Sequence, residues 1–356
     1  MKIQYASDLH IEFYDNSVFL ARNPFKVAGD VLVLAGDIFP LKEWKDYRQH
    51  RFFDWCRDNF RETILIPGNH EFYGSDIADW DGEWELELRP NVRMHQNRVL
   101  RIDDVDFILT TLWSRIPERL GGYFRKNMSD FTLIRKGKGP FTVHCYNEEH
   151  EKCLAFLKEA VASSKAPKKV VVTHHVPTSL CVAPEHKGST LNHGFTVDLS
   201  EYIQSSDIDL WIYGHSHRSI DTSIGKTRIV SNQVGYVAYS ECVGSFSGDR
   251  YVDLDDELPA PRSNSSSINL SNQWNGGIFL EKVDGEDGLY ELTGERMGLR
   301  VLYGDNGEVD AVDPFGGPFI DIGYKVVTPD GNKYVESIRL DGERILISLF
   351  PSKTHD

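Results

Sequence analysis

The chain has 356 residues, 40% of them hydrophobic and 12% aromatic, enough for at least one large core and unlike disordered or collagen-like chains. Its 39 basic and 54 acidic residues leave a net charge of -15, which repels a polyanion at long range and argues against sequence-independent coating of DNA or RNA. No apolar run approaches the roughly 18 residues of a membrane span. Asp8, His10 and Glu12 stand where a secretory signal needs an apolar stretch, and five scattered cysteines lack C-x-x-C spacing. A cytoplasmic protein with reduced thiols and no membrane partner is expected.

In chain order, the runs Asp30 to Ala35, Thr63 to Ile66, Lys169 to Thr173 and Ile208 to Tyr213 are continuous and β-branched, the pattern of parallel strands buried on both faces. Helical periodicity fills the gaps from Trp44 to Phe60, from Asn147 through the stripe Cys153, Leu154, Phe156, Leu157, Ala160 and Val161, and from a Thr196 cap past Leu199, Tyr202 and Ile203. Strand alternating with crossover helix is the α/β pattern. Past about residue 240 the texture changes. Acidic Asp249 to Glu257 and polar Arg262 to Asn272 read as a connector. The runs Phe319 to Thr328, Lys333 to Leu340 and Arg344 to Phe350, punctuated by turn signals at Pro329 to Asn332 and at Asp341-Gly342, read as a small all-β module. The expected organisation is an α/β domain at 1–245, a connector at 246–275 and a β-rich module at 276–356 through which the chain can oligomerise.

Five motifs follow the expected strands: Asp8-Leu9-His10, Gly36-Asp37, Gly68-Asn69-His70-Glu71, His174-His175 and Gly214-His215-Ser216-His217. Ligands of α/β sheets collect outside the carboxyl ends of strands, so these loops are expected to converge on one crevice. In an extended segment, a D-x-H or H-x-H spacing sends both side chains to the same side. Asp37 supplies two carboxylate oxygens, Asn69 an amide oxygen, and the histidines ring nitrogens. This mixed set without thiolates suits Mn, Fe, Zn or Co in a reactive site better than a structural zinc. Two ions about 3.5 to 4 Å apart stabilise both the attacking and the leaving oxygen of a phosphoryl displacement.

With YASDLHIEF, LVLAGDI, PGNHEFYG, VVTHHVPT and WIYGHSH in this order, residues 1 to 240 resemble the calcineurin-like metallophosphoesterases, most closely their bacterial single-domain branch. The resemblance implies a four-layer α/β/β/α sandwich with two central mixed sheets. It implies one divalent or trivalent transition metal on Asp8, His10, Asp37 and His217, and a second on Asp37, Asn69, His174 and His215, with Mn preferred. Strand alternation does not fix which of His174 and His175 points inward; the family pattern selects His174. His70 would contact the substrate phosphate or protonate the leaving group. Glu71 stands where many members carry Asp, so the motif does not name the partner that orients His70. The serine/threonine phosphatase branch extends the second motif to GDxxDRG, whereas this chain continues Ile38-Phe39-Pro40-Leu41.

The resemblance thus implies in-line attack on a phosphate ester by a metal-bridging hydroxide, with a small nucleotide-like phosphodiester preferred over a monoester or a nucleic acid. Some relatives of this kind are binding scaffolds that have lost ligand residues; this chain has lost none. Residues 115 to 138 carry a local excess of five positive charges. They read either as a solvated loop or as a lid whose Arg125 and Lys126 meet substrate phosphate. Asn192, His193 and Phe195 read as a structural loop before they read as the pocket rim, Trp113 as core rather than a stacking platform for a base, and His50, His95, His144, His150 and His186 as surface or structural.

Overall fold

The computed structural model describes residues 1–182, 186, 188–241 and 245–255, followed by strand residues 267–269, 278–282, 289–294, 299–303, 309–314, 320–321, 325–328, 331–341 and 344–351. The chain forms two compact units, Met1–Val182 with Gly188–Pro261, and Ala183–Lys187 with Arg262–Asp356.

In the first unit the strands are β1 (Lys2–Ala6), β2 (Val31–Ala35), β3 (Glu62–Ile66), β4 (Trp84–Arg89), β5 (Val92–Gln96), β6 (Arg98–Ile102) and β7 (Val105–Leu109). A two-residue pair follows, β8 (Arg135–Lys136) with β9 (Gly139–Pro140), and then β10 (Lys168–Val172), β11 (Leu210–Ile212), β12 (Asp221–Ile224), β13 (Thr227–Val230) and β14 (Tyr251–Asp253). They build two six-stranded sheets, in the orders β14-β1-β2-β3-β5-β4 and β12-β13-β11-β10-β7-β6. Each sheet has four parallel strands at its centre and an antiparallel strand at either edge.

Alternation within each strand produces the layers. Ile3, Tyr5, Val31, Val33, Ile64 and Ile66 meet Phe107, Leu109, Val170, Val172 and Ile212 in one cluster between the sheets. The opposite faces, Leu32, Leu34 and Leu65 in one sheet and Ile108, Val171 and Trp211 in the other, pack against helices. The helices are α1 (Tyr14–Arg22), α2 (Trp44–Tyr47), α3 (Arg51–Asn59), α4 (Gly121–Asn127), α5 (Asp130–Leu133), α6 (Val143–Ser163) and α7 (Ser200–Ser205). The four-layer α/β/β/α sandwich is therefore present, and Trp113 is core.

Local differences from the sequence reading have identifiable causes. The helix expected from Trp44 to Phe60 is broken, and the His50 ring restarts it by accepting from Phe52 N–H at 3.3 Å. The helix expected at Asn147 begins at Val143, where Thr142 caps it through Cys145 N–H at 3.2 Å. Asn147 is buried instead, bonding both Ile116 N–H and Ile116 C=O. Tyr251–Asp253, expected within the connector, is an edge strand on β1, and Lys168 pairs with Asp255 at 2.6 Å.

The second unit is β-rich, as expected. Ser267–Asn269, Ile278–Lys282, Leu289–Gly294, Arg344–Pro351, Gly331–Asp341 and Lys325–Thr328 form, in that order, an antiparallel six-stranded sheet. The turn positions 329, 330 and 342 lie outside the described residues.

A chain ended at Asp255 is expected to melt cooperatively and to take up metal as the full chain does. One ended at Ser245 loses β14 and the buried Val252, and its melting midpoint should fall by about 5 °C or more. Equal midpoints for the two truncations would show that β14 does not support the sheet.

Candidate metal centre

The motif residues lie just past the carboxyl ends of β1, β2, β3, β10 and β11, where parallel strands of the two sheets open into loops. Their backbone is not extended: Asp8, His10, Asp37, His215 and His217 have φ of 53°, 45°, 56°, 72° and 47°. The period-two argument for D-x-H and H-x-H therefore does not hold. Left-handed turns aim these side chains together, and non-glycine residues adopt that region only where surrounding structure enforces it. The motif glycines answer to the same crowding. A Cβ on Gly68 would fall on Asp37 Oδ1, and one on Gly36 on the His174 ring.

Two donor sets share Asp37. Asp8, His10, Asp37 and His217 present ligand atoms that all lie within 4.8 Å of one another, and so do Asp37, His174 and His215. Asn69 Oδ1 joins the second set, 3.2 Å from His174 Nε2. His175 turns away, its Nε2 3.0 Å from Tyr146 Oη, and its ring packs beside His215.

Every histidine of the two donor sets has its outward nitrogen engaged. His10 Nδ1 is 3.2 Å from Glu12 Oε1, His217 Nδ1 is 2.6 Å from Glu241 Oε2, His174 Nδ1 is 2.9 Å from Ala35 O, and His215 Nε2 is 3.4 Å from Gly194 O. Such acceptors fix the tautomer and leave the other nitrogen's lone pair facing the cluster, the arrangement a metal-binding imidazole requires. Asn69 is oriented likewise: its Nδ2 donates to Tyr73 Oη at 3.2 Å and to the buried carboxylate of Asp130 at 3.4 Å, which turns Oδ1 inward. Two buried carboxylates, four tautomer-fixed imidazoles and one amide oxygen fit a pair of first-row transition ions.

Electrostatics point the same way. Burial opposes ionisation of Asp37, but the surrounding imidazoles, His174 first, hold its carboxyl well below the usual range. Burial likewise opposes charge on His174 and His217, and the carboxylates outweigh it: Asp37 lifts His174 to about 9, while Asp8 and Glu241 lift His217 to about 10. His215, beside His174, is pushed by burial down to about 3. In the ion-free chain, protons on His174 and His217 balance the buried carboxylates.

Glu71 is fully buried and is not the partner of His70. Its carboxylate accepts from Asp37 N–H, Ile38 N–H, Phe39 N–H and Gly68 N–H at 2.9, 2.7, 3.2 and 2.6 Å. Burial and the nearby Asp37 push its pKa up to about 7, while the four donors favour the charged form. The pin is completed by His70 N–H, which donates to Asp37 Oδ1 at 2.9 Å.

The His70 ring sits between Glu12 Oε1, 3.5 Å from Nδ1, and Tyr236 Oη, 2.9 Å from Nε2, and stacks on Tyr73 at 4.1 Å. Glu12, Tyr236, Glu241, Asp130 and Tyr73 were not singled out from sequence. Of these only Glu12 carried a signal, a carboxylate two residues after His10.

Phe195 stacks on His215 at 4.4 Å. His193 is exposed, and its carbonyl accepts from Ser114 Oγ at 2.9 Å; among the described residues its ring touches no donor. Arg125 and Lys126 are exposed on the last turn of α4, without an ion pair among the described residues. Their neighbour Phe124 is buried at Gly194, where an added Cβ would lie 2.9 Å from Phe124 Cε1. Arg115 and Lys136, from the same cationic stretch, pair instead with Glu151 and Glu149 of α6.

A family model described as calcineurin-like phosphoesterase matches residues 1–219. Uncharacterized protein L509 of Acanthamoeba polyphaga mimivirus is 28% identical over 284 residues, covering 72% of this chain and 98% of that protein. Among solved structures, a phosphopantetheinyl hydrolase from Mycobacterium tuberculosis shares the fold, with a TM-score of 0.53 and 19% identity over 74% of this chain and 98% of that one. No helix of the described residues is long and apolar enough to cross a membrane.

Metal uptake by the ion-free chain should release protons and strengthen with pH. His174 and His217 are charged below about 9 and 10, and each must lose its proton to bind a cation. Calorimetric titration with Mn in buffers of different ionisation enthalpy measures the release at pH 7. Two ions per chain with proton release are expected, and Asp37→Asn should weaken both. A single ion, or uptake independent of pH between 7 and 9, contradicts the arrangement.

Proposed function

The chain belongs to the calcineurin-like phosphoesterases and is a metal-dependent phosphoester hydrolase, and on that premise we propose that it cleaves a phosphodiester carrying a small, nucleotide-like group. The observation that carries this reading is the difference between the two flanks of the shared Asp37. One flank holds the polar assembly of His70, Glu12 and Tyr236. The other is the Gly194 loop, backed by α4 with its exposed Arg125 and Lys126, which form no ion pair among the described residues. A diester has two different arms, a departing alcohol and a retained group, and the two flanks offer each a distinct environment.

Asp8, His10, Asp37 and His217 would hold one transition-metal ion and Asp37, Asn69, His174 and His215 a second, preferably Mn with Fe, Zn or Co fitting the same donors, and the pair would supply Lewis acidity at the phosphoryl oxygens and acidify water near neutral pH. The chain's own residues do the rest. Asp37, pinned by Glu71 and His70 N–H, keeps the two donor sets in register. His70 protonates the departing oxygen. Burial opposes its charge, but Asp37 and Glu12 outweigh burial and hold its pKa above the ordinary value, which favours the form an acid needs. Glu12 and Tyr236 act through it as positioning residues. Arg125 and Lys126 meet negative charge on the retained arm, with His193 at the edge of the same loop.

A screen of metal-loaded enzyme against monoesters, cyclic and linear diesters, dinucleotides, nucleic acid and a phosphopantetheinyl ester tests the substrate class, with highest kcat/KM expected on a small diester. Higher kcat/KM on monoesters contradicts it. His70→Ala should keep both metals and lower kcat/KM by about 10² to 10⁴ for alkyl diesters, and by much less for p-nitrophenyl diesters, whose leaving group needs little protonation. Glu12→Gln should act in the same sense but more weakly. Loss of a metal in His70→Ala, or an unchanged alkyl rate, contradicts the assignment. The double substitution Arg125→Glu/Lys126→Glu should raise KM at least about tenfold for a diester with a second phosphate on its retained arm. A singly charged diester should change little, and equal small effects on both make 115–138 an ordinary solvated loop.

A further inference from the structure

Beside His70 the structure leaves aromatic rings uncovered. Phe13 is 42% exposed and Tyr239 77%. An apolar ring left in water at the mouth of a polar site retains hydration free energy that a flat ligand recovers on docking. The Phe13 ring lies 6.3 Å from His70, 5.7 Å from His10 and 5.8 Å from Tyr236, and Tyr236 lies 6.0 Å from Tyr239. Residues 13 and 236 to 239, far apart in sequence, thus meet around the ring assigned to the departing alcohol.

Their meeting is built into the fold. Asn16, buried in the first turns of α1, donates through Nδ2 to Leu9 C=O at 3.0 Å and to Gly235 C=O at 2.8 Å, and its Oδ1 accepts from Val237 N–H at 3.2 Å. One amide thus ties the segment after the first motif to the loop that carries Tyr236. The charge of this rim is also one-sided. Residues 8–21 and 232–241 contain Asp8, Glu12, Asp15 and Glu241 and neither Lys nor Arg, in contrast to the cationic α4.

We propose that Phe13, with Tyr236 and Tyr239, forms a leaving-group subsite that takes a planar ring without negative charge, the class to which nucleoside bases and benzyl-type alcohols belong. Glu12, Asp15 and Glu241 disfavour a departing group that carries a phosphate or carboxylate, so the negative charge of the substrate lies on the retained arm. This inference rests on the reading of His70 as the residue at the departing oxygen of a diester.

The test compares methyl phosphodiesters that differ only in the departing alcohol, benzyl against methoxyethyl, two alcohols of similar acidity, with a nucleoside ester as a third arm. In Phe13→Ala, the benzyl-to-methoxyethyl ratio of kcat/KM should fall by about fivefold to a hundredfold, the range of a lost ring-on-ring stack, with both metals retained. The nucleoside ester should follow the benzyl ester if bases use the subsite, and Phe13→Tyr should restore most of the ratio. Binding of methyl benzylphosphonate, whose benzyl arm is held by a P–C bond that hydrolysis does not break, measured calorimetrically, should weaken by a similar factor. An unchanged ratio, or a phosphonate affinity that Phe13→Ala leaves unaltered, overturns the subsite. If the metal-loaded wild type hydrolyses no diester, the diester reading fails, and the phosphonate affinity alone then decides whether the ring subsite stands.

Discussion

The Asp37 carboxylate, buried and shared between two donor sets, is the constraint that the surrounding structure serves. Glu71 holds the backbone of Asp37, Ile38 and Phe39, and that of Gly68 on the next motif, through four N–H groups, and His70 N–H fixes Oδ1. The same oxygen leaves no room for a side chain at Gly68. Five donors, Asp37 among them, sit in left-handed backbone, at about 1 to 3 kcal/mol each, a strain that only a well-packed framework sustains. The two-sheet core, with four layers meeting at strand ends, is such a framework. Flexible loops would let the donors relax apart.

Around this centre, the groups that tune the donors are spread over the first unit, from residue 12 to residue 241. Glu12 follows β1, Asp130 opens α5, Gly194 lies before α7, and Glu241 follows β13. Each meets a donor residue side chain to side chain or through a carbonyl. A metal ligand's basicity and direction are set by its outer hydrogen bond, so the fold contributes to the chemistry well beyond the residues that would touch an ion. The two flanks of Asp37 then differ in kind, aromatic and acidic beside His70, cationic along α4.

The fold was legible because buried parallel strands announce themselves as β-branched runs, and four of the five motifs came where such a run stopped. The donor residues were legible by type. Their convergence had the wrong explanation, since alternation along an extended chain cannot describe Asp8 and His10 at positive φ. What sequence concealed was partnership across distance. Nothing in the chain near residue 70 names Tyr236, and nothing near 217 names Glu241. Glu71 left the partner of His70 unnamed in the sequence, and the structure gives Glu71 to backbone amides and His70 to Glu12 and Tyr236. His95 and His150 were read only as surface or structural; both are buried, and burial holds both below the ordinary imidazole value. The Asn16 amide that ties α1 to the Tyr236 loop carries no motif at all.

The central claim is that Asp37 joins two cation sites on one strand-end crevice. Crystals soaked in Mn and measured at the Mn absorption edge test it most directly. The account predicts two anomalous peaks about 3.5 to 4 Å apart, with Asp37 contacting both, His10 and His217 on one, and Asn69, His174 and His215 on the other. A single peak, or two peaks of which Asp37 touches only one, would contradict it.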